Sequence, residues 1–220
     1  MGLAALKELS EACLPYLPHV SGVEPDCFRV VADEAGRREL WFLRKNVVKI
    51  LNDYGRKYNL IAPPVIEDLG VPLSKLGSLM YYLEEEFKKR KLHAGIYGHA
   101  GDGNLHVRPL FARTPEAMAE AWQLMDEVYR RVIGMGGTIS AEHGDGLLRT
   151  PYLDEQYGAS VTNLFRQIKE LFDPRYILNP GVKVPHAGLE SGKHEQWDIM
   201  GYLPTGGGKP FRHDHADLVH

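Results

Sequence analysis

Two short glycine-rich segments hold the residues best suited to chemistry. The first reads Gly98-His99-Ala100-Gly101-Asp102-Gly103-Asn104-Leu105-His106, and the second Ser140-Ala141-Glu142-His143-Gly144-Asp145-Gly146. Three of the chain's 10 histidines fall within them. A glycine turn between two strands folds His99 back toward His106. Asn104 and His106 are two positions apart, so an extended strand places both on one face, opposite Leu105. Two neutral imidazoles and one carboxylate make a site for Zn²⁺ or Mn²⁺ with positions left open for a substrate. Glu142 is the best third ligand. Glycine suits both segments, because a backbone that turns sharply and approaches a ligand closely has no room for a Cβ. A plainer reading stands beside this one, in which His99 and His106 are only a satisfied turn pair. Asp102 and Asp145 each lie between two glycines; they read first as turn stabilisers and second as ligands.

Several elements must position these segments. A strand is expected over 94–99 and another over 104–110, joined by the glycine turn. Thr114-Pro115 opens a helix, with threonine at the cap and proline at the first helical position. Met118, Trp122, Met125, Tyr129 and Val132 form its inward stripe, and Gly134, Gly136 and Gly137 end it. Residues 138–141 then read as a strand running into Glu142-His143-Gly144. Upstream, Leu40, Leu43, Val47, Ile50, Leu51 and Tyr54 recur at helical spacing within a helix over about 37–58. Pro63-Pro64 forces an extended stretch over 65–72. Ser74 is expected to cap a helix reaching about Arg90, with Leu76, Leu79, Met80, Leu83 and Phe87 inward. A last helix covers about 159–172. A short helix is expected over 1–20 and a strand over 27–32. The pattern predicts an α+β fold: a ferredoxin-like antiparallel sheet with helices packed on one face, plus a C-terminal helical segment. Residues 1–184 form the expected domain. Residues 185–220, rich in Gly, Pro and His without periodicity, read as a tail or interdomain linker.

Composition narrows the function classes. The chain has 220 residues, 44% hydrophobic, with a net charge of −3. That supports a buried core and does not point to nucleic acid. The one basic knot, Phe87-Lys88-Lys89-Arg90-Lys91, reads as a solvated helix end. The two cysteines, Cys13 and Cys27, have no metal-ligand spacing and fit ordinary cytosolic thiols. No signal peptide and no membrane span are expected.

The same residues carry a family resemblance. The His99–His106 segment resembles the signature of the C-terminal domain of FAD-linked oxidases, a group that includes D-lactate dehydrogenase, the glycolate oxidase flavin subunit and D-2-hydroxyglutarate dehydrogenase. Gly137-Thr138-Ile139-Ser140-Ala141-Glu142-His143-Gly144 is similar to the family's second motif. Leu171-Phe172-Asp173-Pro174 and Ile177-Leu178-Asn179-Pro180-Gly181-Val182-Lys183 are similar to its closing motif. Leu40-Trp41-Phe42-Leu43-Arg44 resembles its arginine-bearing helix. The motifs stand in the family's order from Leu40 to Lys183.

The resemblance implies roles. His99, His106 and Glu142 match divalent-metal ligands. Asn104 matches a residue near the substrate, and Arg44 the arginine that grips the substrate carboxylate. His143 matches the histidine that binds the substrate and takes its hydroxyl proton. Asn179 lies in a segment that approaches the flavin. The implied reaction is hydride transfer from C2 of a small D-2-hydroxy acid, of D-lactate or glycolate type, to FAD held largely by a preceding domain.

The expected partners are that flavin domain, in cis or in trans, an iron–sulfur domain or subunit, and a second copy in a homodimer. The expected location is cytoplasmic, or peripheral to the inner membrane through an electron-transfer partner. Where some members carry a lysine before the Asp-Leu-x-Val-Pro segment, this chain has Val65-Ile66-Glu67-Asp68. That departure, with Gly144-Asp145-Gly146 after His143, is closer to members fused to iron–sulfur domains. Residues 1–40 contain nothing like a diphosphate-binding glycine loop, and there is no CxxC cluster, so the chain reads as a fragment or a separately expressed domain. Two rival readings remain: a stand-alone metal-dependent hydrolase using His99, His106 and Glu142, and a non-catalytic metal-binding or oligomerisation module.

Overall fold

A computed structural model of the chain describes Val31 and residues 33–185. The helix expected over 1–20, the strand expected over 27–32 apart from Val31, both cysteines and the tail beyond Pro185 lie outside the described residues. Internal contacts divide the chain into two units, Met1–Ile50 and Leu51–His220.

In the first unit, the Asp33 carboxylate accepts a hydrogen bond from Gly36 N at 2.7 Å. This satisfies a free amide at the start of α1 (Glu34–Tyr58). The helix therefore starts one turn earlier than its apolar spacing predicts.

The second unit is built on a small antiparallel sheet. Its centre is β4 (Asn104–Ala112), which pairs along most of its length with β3 (His93–His99). The two-residue strands β1 (Leu60–Ile61) and β2 (Leu69–Gly70) pair with its C-terminal and N-terminal ends respectively. Helices α2 (Leu73–Arg90) and α3 (Pro115–Gly134) complete the core. Alternation along β4 divides the sheet into two faces. Leu105, Val107 and Phe111 join Leu79, Leu83 and Phe87 of α2 and Met118, Trp122, Met125 and Val128 of α3 in one buried cluster. Asn104, His106 and Arg108 occupy the other face. The α+β architecture follows from this pattern, since one sheet face needs helices to cover it.

Helix α3 begins as its sequence dictates. Thr114 Oγ1 accepts from Ala117 N at 3.2 Å, and Pro115 occupies the first turn. Gly137 follows because no side chain fits there: a Cβ would lie 2.3 Å from the Gly70 carbonyl oxygen. The close approach lets Thr138 and Gly70 exchange two backbone hydrogen bonds, of 2.8 and 2.7 Å.

Three expectations are corrected. Residues 138–141 form no strand beyond the single Thr138–Gly70 bridge. The amides that would extend it, from Ala141, Glu142 and His143, all go to Asp68 instead. Ser74 does not cap α2; the cap position is Pro72, whose carbonyl accepts from Lys75 N at 2.7 Å. Arg90 is not a solvated helix end. Its buried guanidinium pairs with Glu86 and, at 2.7 Å, with Glu127 of α3.

Beyond residue 145 the chain forms short helices, α4 (Gly146–Arg149) and α5 (Leu153–Tyr157), and then α6 (Ala159–Phe172). The last matches its expected bounds.

Candidate active site

The polar face of β4 supplies the base of the site. β3 ends at His99, and the turn through Ala100–Asp102 closes at Gly103. Only glycine suits that position: φ is +69°, and a Cβ would lie 2.0 Å from the Val71 carbonyl oxygen. The tight turn sets His99 directly across from Asn104, and Tyr97 across from His106. Directly paired residues share a face, so the sheet register brings Tyr97, His99, Asn104 and His106 together. The rings of His99 and His106 meet nearly edge-on, with centroids 5.8 Å apart.

The second segment completes the cluster. Glu142 Oε1 lies 3.0 Å from His106 Nε2, 3.4 Å from His99 Nε2 and 3.5 Å from His143 Nε2. The His143 ring stacks on His106 at 4.8 Å and 9°. His106 is buried, while Glu142 and His143 are each about half exposed. A cavity of about 370 Å³, lined by His99, Asp102, Asn104, Ala141 and Glu142, opens onto the cluster.

These separations suit a shared cation. Ligand atoms about 2.1 Å from a tetrahedral ion lie about 3.4 Å from one another. The chemistry of the donors agrees. Burial, and then the neighbouring His143, push the His106 imidazole below its ordinary value, which favours the neutral form that ligates metal. Among the described residues, His106 Nδ1 and Asn104 Oδ1 are buried and have no hydrogen-bond partner.

A second acidic residue, Asp68, lies within the cluster. Ligand atoms of Asp68, His106, Glu142 and His143 all fall within 4.8 Å of one another. The Asp68 oxygens are already engaged: Asn104 Nδ2 donates to Oδ1 at 3.1 Å, and His143 N donates to Oδ2 at 2.9 Å. His99 is outside that group of four, although its Nε2 lies 3.4 Å from the same Glu142 oxygen.

The polar face continues at Arg108, whose Nη2 donates to both Glu67 oxygens at 3.0 Å. Tyr97 OH donates to Glu67 Oε1 at 3.4 Å. Asp68, Glu67, Arg108 and Tyr97 are absent from the sequence-derived site. The available signal was the pair Glu67-Asp68, two acids inside an otherwise apolar stretch between prolines.

The remaining expected residues are placed as follows. Arg44 lies on α1 within the first unit, its guanidinium 5.4 Å from the Trp41 ring centroid. Asn179, at φ +43°, sits in an exposed turn after α6 and makes no hydrogen bond to the cluster. Asp173 shapes that turn, accepting from Ile177 N at 3.0 Å and Leu178 N at 2.8 Å. The Lys169 ammonium, together with these amides, holds the Asp173 carboxyl down at about 2. Asp145 is buried and pairs with Lys183. Asp102 stays in the turn, at the cavity wall.

Comparison with known proteins adds a family. The sequence model of FAD linked oxidases, C-terminal domain, matches residues 8–182. D-lactate dehydrogenase (cytochrome) 1, mitochondrial, of Saccharomyces cerevisiae is 33% identical over 153 residues, 70% of this chain and 26% of that protein. Glycolate oxidase subunit GlcD of Bacillus subtilis is 35% identical over 118 residues, 53% of this chain and 25% of that protein. D-2-hydroxyglutarate dehydrogenase, mitochondrial, of Bos taurus is 34% identical over 156 residues, 70% of this chain and 27% of that protein. The chain thus spans about a quarter of the length of the curated relatives it matches.

Proposed function

The chain belongs to the family of FAD linked oxidases, C-terminal domain, and from that premise we propose that it is the substrate- and metal-binding part of a flavin-dependent dehydrogenase. The reaction is oxidation of a D-2-hydroxy acid, of D-lactate or glycolate type, to the 2-oxo acid. One observation carries this reading: three imidazole Nε2 atoms converge on Glu142 Oε1 within 3.0–3.5 Å, beside a cavity large enough for a small acid.

His99, His106 and Glu142 would hold the divalent metal, zinc or manganese. When bound, the metal supplies Lewis acidity that lowers the pKa of a coordinated hydroxyl, and FAD supplies the two-electron acceptor. The chain's own residues do the rest. His143, half exposed and stacked on His106, accepts the substrate's hydroxyl proton at Nε2. Asn104 orients the substrate from the cavity wall. Arg44 pairs with the substrate carboxylate, a task suited to its planar fork. Asn179 approaches the flavin. Asp68, whose carboxylate already accepts from Asn104, Glu142 and His143, is assigned to holding this loop rather than the metal.

Electrons leave through an iron–sulfur domain or subunit in the cytoplasm or at the inner membrane. Among the described residues no helix is long and apolar enough to cross a membrane, and the yeast and bovine relatives carry mitochondrial names.

The test uses the protein together with its flavin domain. His143→Ala is expected to lower kcat for D-lactate or glycolate by about 10²–10⁴-fold with the metal retained. His106→Ala is expected to lose the metal. Full activity in a metal-free protein, or metal-dependent hydrolysis by this chain alone, would contradict the reading.

A further inference from the structure

The loop carrying Glu142 and His143 has no regular backbone pairing of its own after Thr138. Two buried side chains tether it. Asp68 is fully buried and stands at φ +70°, a conformation that residues with a Cβ seldom adopt. In that conformation its main chain and side chain together meet three successive amides. The Asp68 carbonyl accepts from Ala141 N at 3.1 Å. Its carboxylate accepts from Glu142 N at 3.1 Å and from His143 N at 2.9 Å. The same carboxylate takes Asn104 Nδ2 at 3.1 Å, so it also joins this loop to the start of β4.

Arg149 makes the complementary connection. Its Nη1 donates to the Gly144 carbonyl at 2.8 Å, and its Nη2 to the Glu67 carbonyl at 2.7 Å. The guanidinium is buried, and its planar fork spans the same two segments that Asp68 joins. An acceptor arm and a donor arm therefore fix residues 67–68 to residues 141–144.

We propose that Asp68 and Arg149 are positioning residues: a two-armed clamp that fixes the backbone of Glu142 and His143, so that one carboxylate oxygen meets His99 and His106 while the His143 ring stacks on His106. The proposal rests on the metal reading above for its functional consequence, but not for the clamp itself. Hydrogen bonds from backbone amides to a buried carboxylate are charge-assisted and strong. Partners that orient metal ligands from behind commonly alter metal affinity by 10–100-fold.

Asp68→Asn keeps the side chain's size but turns an amide nitrogen toward backbone donors. In the metal-free full chain, hydrogen exchange at the Glu142 and His143 amides is expected to speed up about tenfold, the equivalent of one lost hydrogen bond. The amides of Met125 and Val128 in α3 should keep wild-type protection. Co²⁺ then serves as a spectroscopic probe of ligand geometry. The wild-type chain is expected to bind one equivalent with a visible absorption band. Asp68→Asn is expected to bind one equivalent about tenfold more weakly with an altered band, and His106→Ala none.

Arg149→Lys, whose single ammonium cannot span both carbonyls, should move exchange and band in the same direction by a smaller amount. It keeps the clamp testable should Asp68→Asn fail to fold. Wild-type exchange, affinity and band in both variants would overturn the proposal. So would complete loss of Co²⁺ in Asp68→Asn, which would make Asp68 a ligand. A wild-type chain that takes up no Co²⁺ would sink the metal reading alone, and amide exchange would still decide the clamp.

Discussion

Strand β4 presents two faces of opposite character. Leu105, Val107 and Phe111 are buried with residues of α2 and α3 in the hydrophobic cluster. Asn104, His106 and Arg108, interleaved with them, are also largely buried, yet among the described residues each keeps a polar atom without a partner: Asn104 Oδ1, His106 Nδ1 and Arg108 Nε. The same nine-residue strand thus supplies both the core and the floor of the site. Burial on one face stabilises the fold through removal of apolar surface from water. Burial on the other is unfavourable for the fold alone, because unpaired buried polar atoms are costly. His106, on that face, is the residue proposed to hold the metal through Nε2.

Changes on the two faces should separate stability from binding, and denaturant unfolding beside metal titration measures both. The largest loss of stability is expected for Phe111→Ala. It opens a cavity in the apolar cluster and should cost about 3–5 kcal/mol, while the metal bound per folded chain stays the same. Arg108→Met comes next. It leaves the Glu67 carboxylate buried without its cation and should cost about 2–3 kcal/mol; adding Glu67→Met should restore most of the loss. Thr114→Ala removes the cap of α3 and should cost about 1 kcal/mol, without effect on metal. His106→Ala should cost less stability in the metal-free chain than Phe111→Ala, because it removes contacts of the polar face, with Glu142 and His143, and leaves the apolar cluster whole. That same change should reduce metal affinity by at least about 100-fold, since a ligand is gone. If His106→Ala were instead as destabilising as Phe111→Ala, the division between the faces would fail.

The sequence made one side of this comparison easy to read and the other only partly so. Alternation along β4 announced both faces, and the threonine–proline start of α3 with its stripe from Met118 to Val132 announced the helix that covers one of them. These signals are local: they rest on neighbours within one or two turns. His99, His106 and Glu142 were legible because glycine-flanked histidines and an acid are conspicuous residue types. Asp68 and Arg149 were not, because their meaning lies in partners 74 to 82 positions away. No period or cap signal encodes such a contact. The strand expected over 138–141 reduces to the single Thr138–Gly70 bridge for the same reason. Its composition suits a strand, but Ile139 N goes to the Gln156 side chain, Ser140 N to Thr138 Oγ1 and Ala141 N to the Asp68 carbonyl. Strands of two residues, such as β1 and β2, are too short to produce a pattern.

The polar face of β4 and the Glu142 loop are proposed to hold a divalent ion together. Anomalous diffraction from crystals of the protein prepared with Zn²⁺ or Mn²⁺, collected at the metal's absorption edge, tests that claim most directly. One strong peak is expected within bonding distance of His99 Nε2, His106 Nε2 and a Glu142 oxygen, lost in Glu142→Gln. A fully loaded crystal with no peak there, or with its peak bonded to other residues, would contradict it.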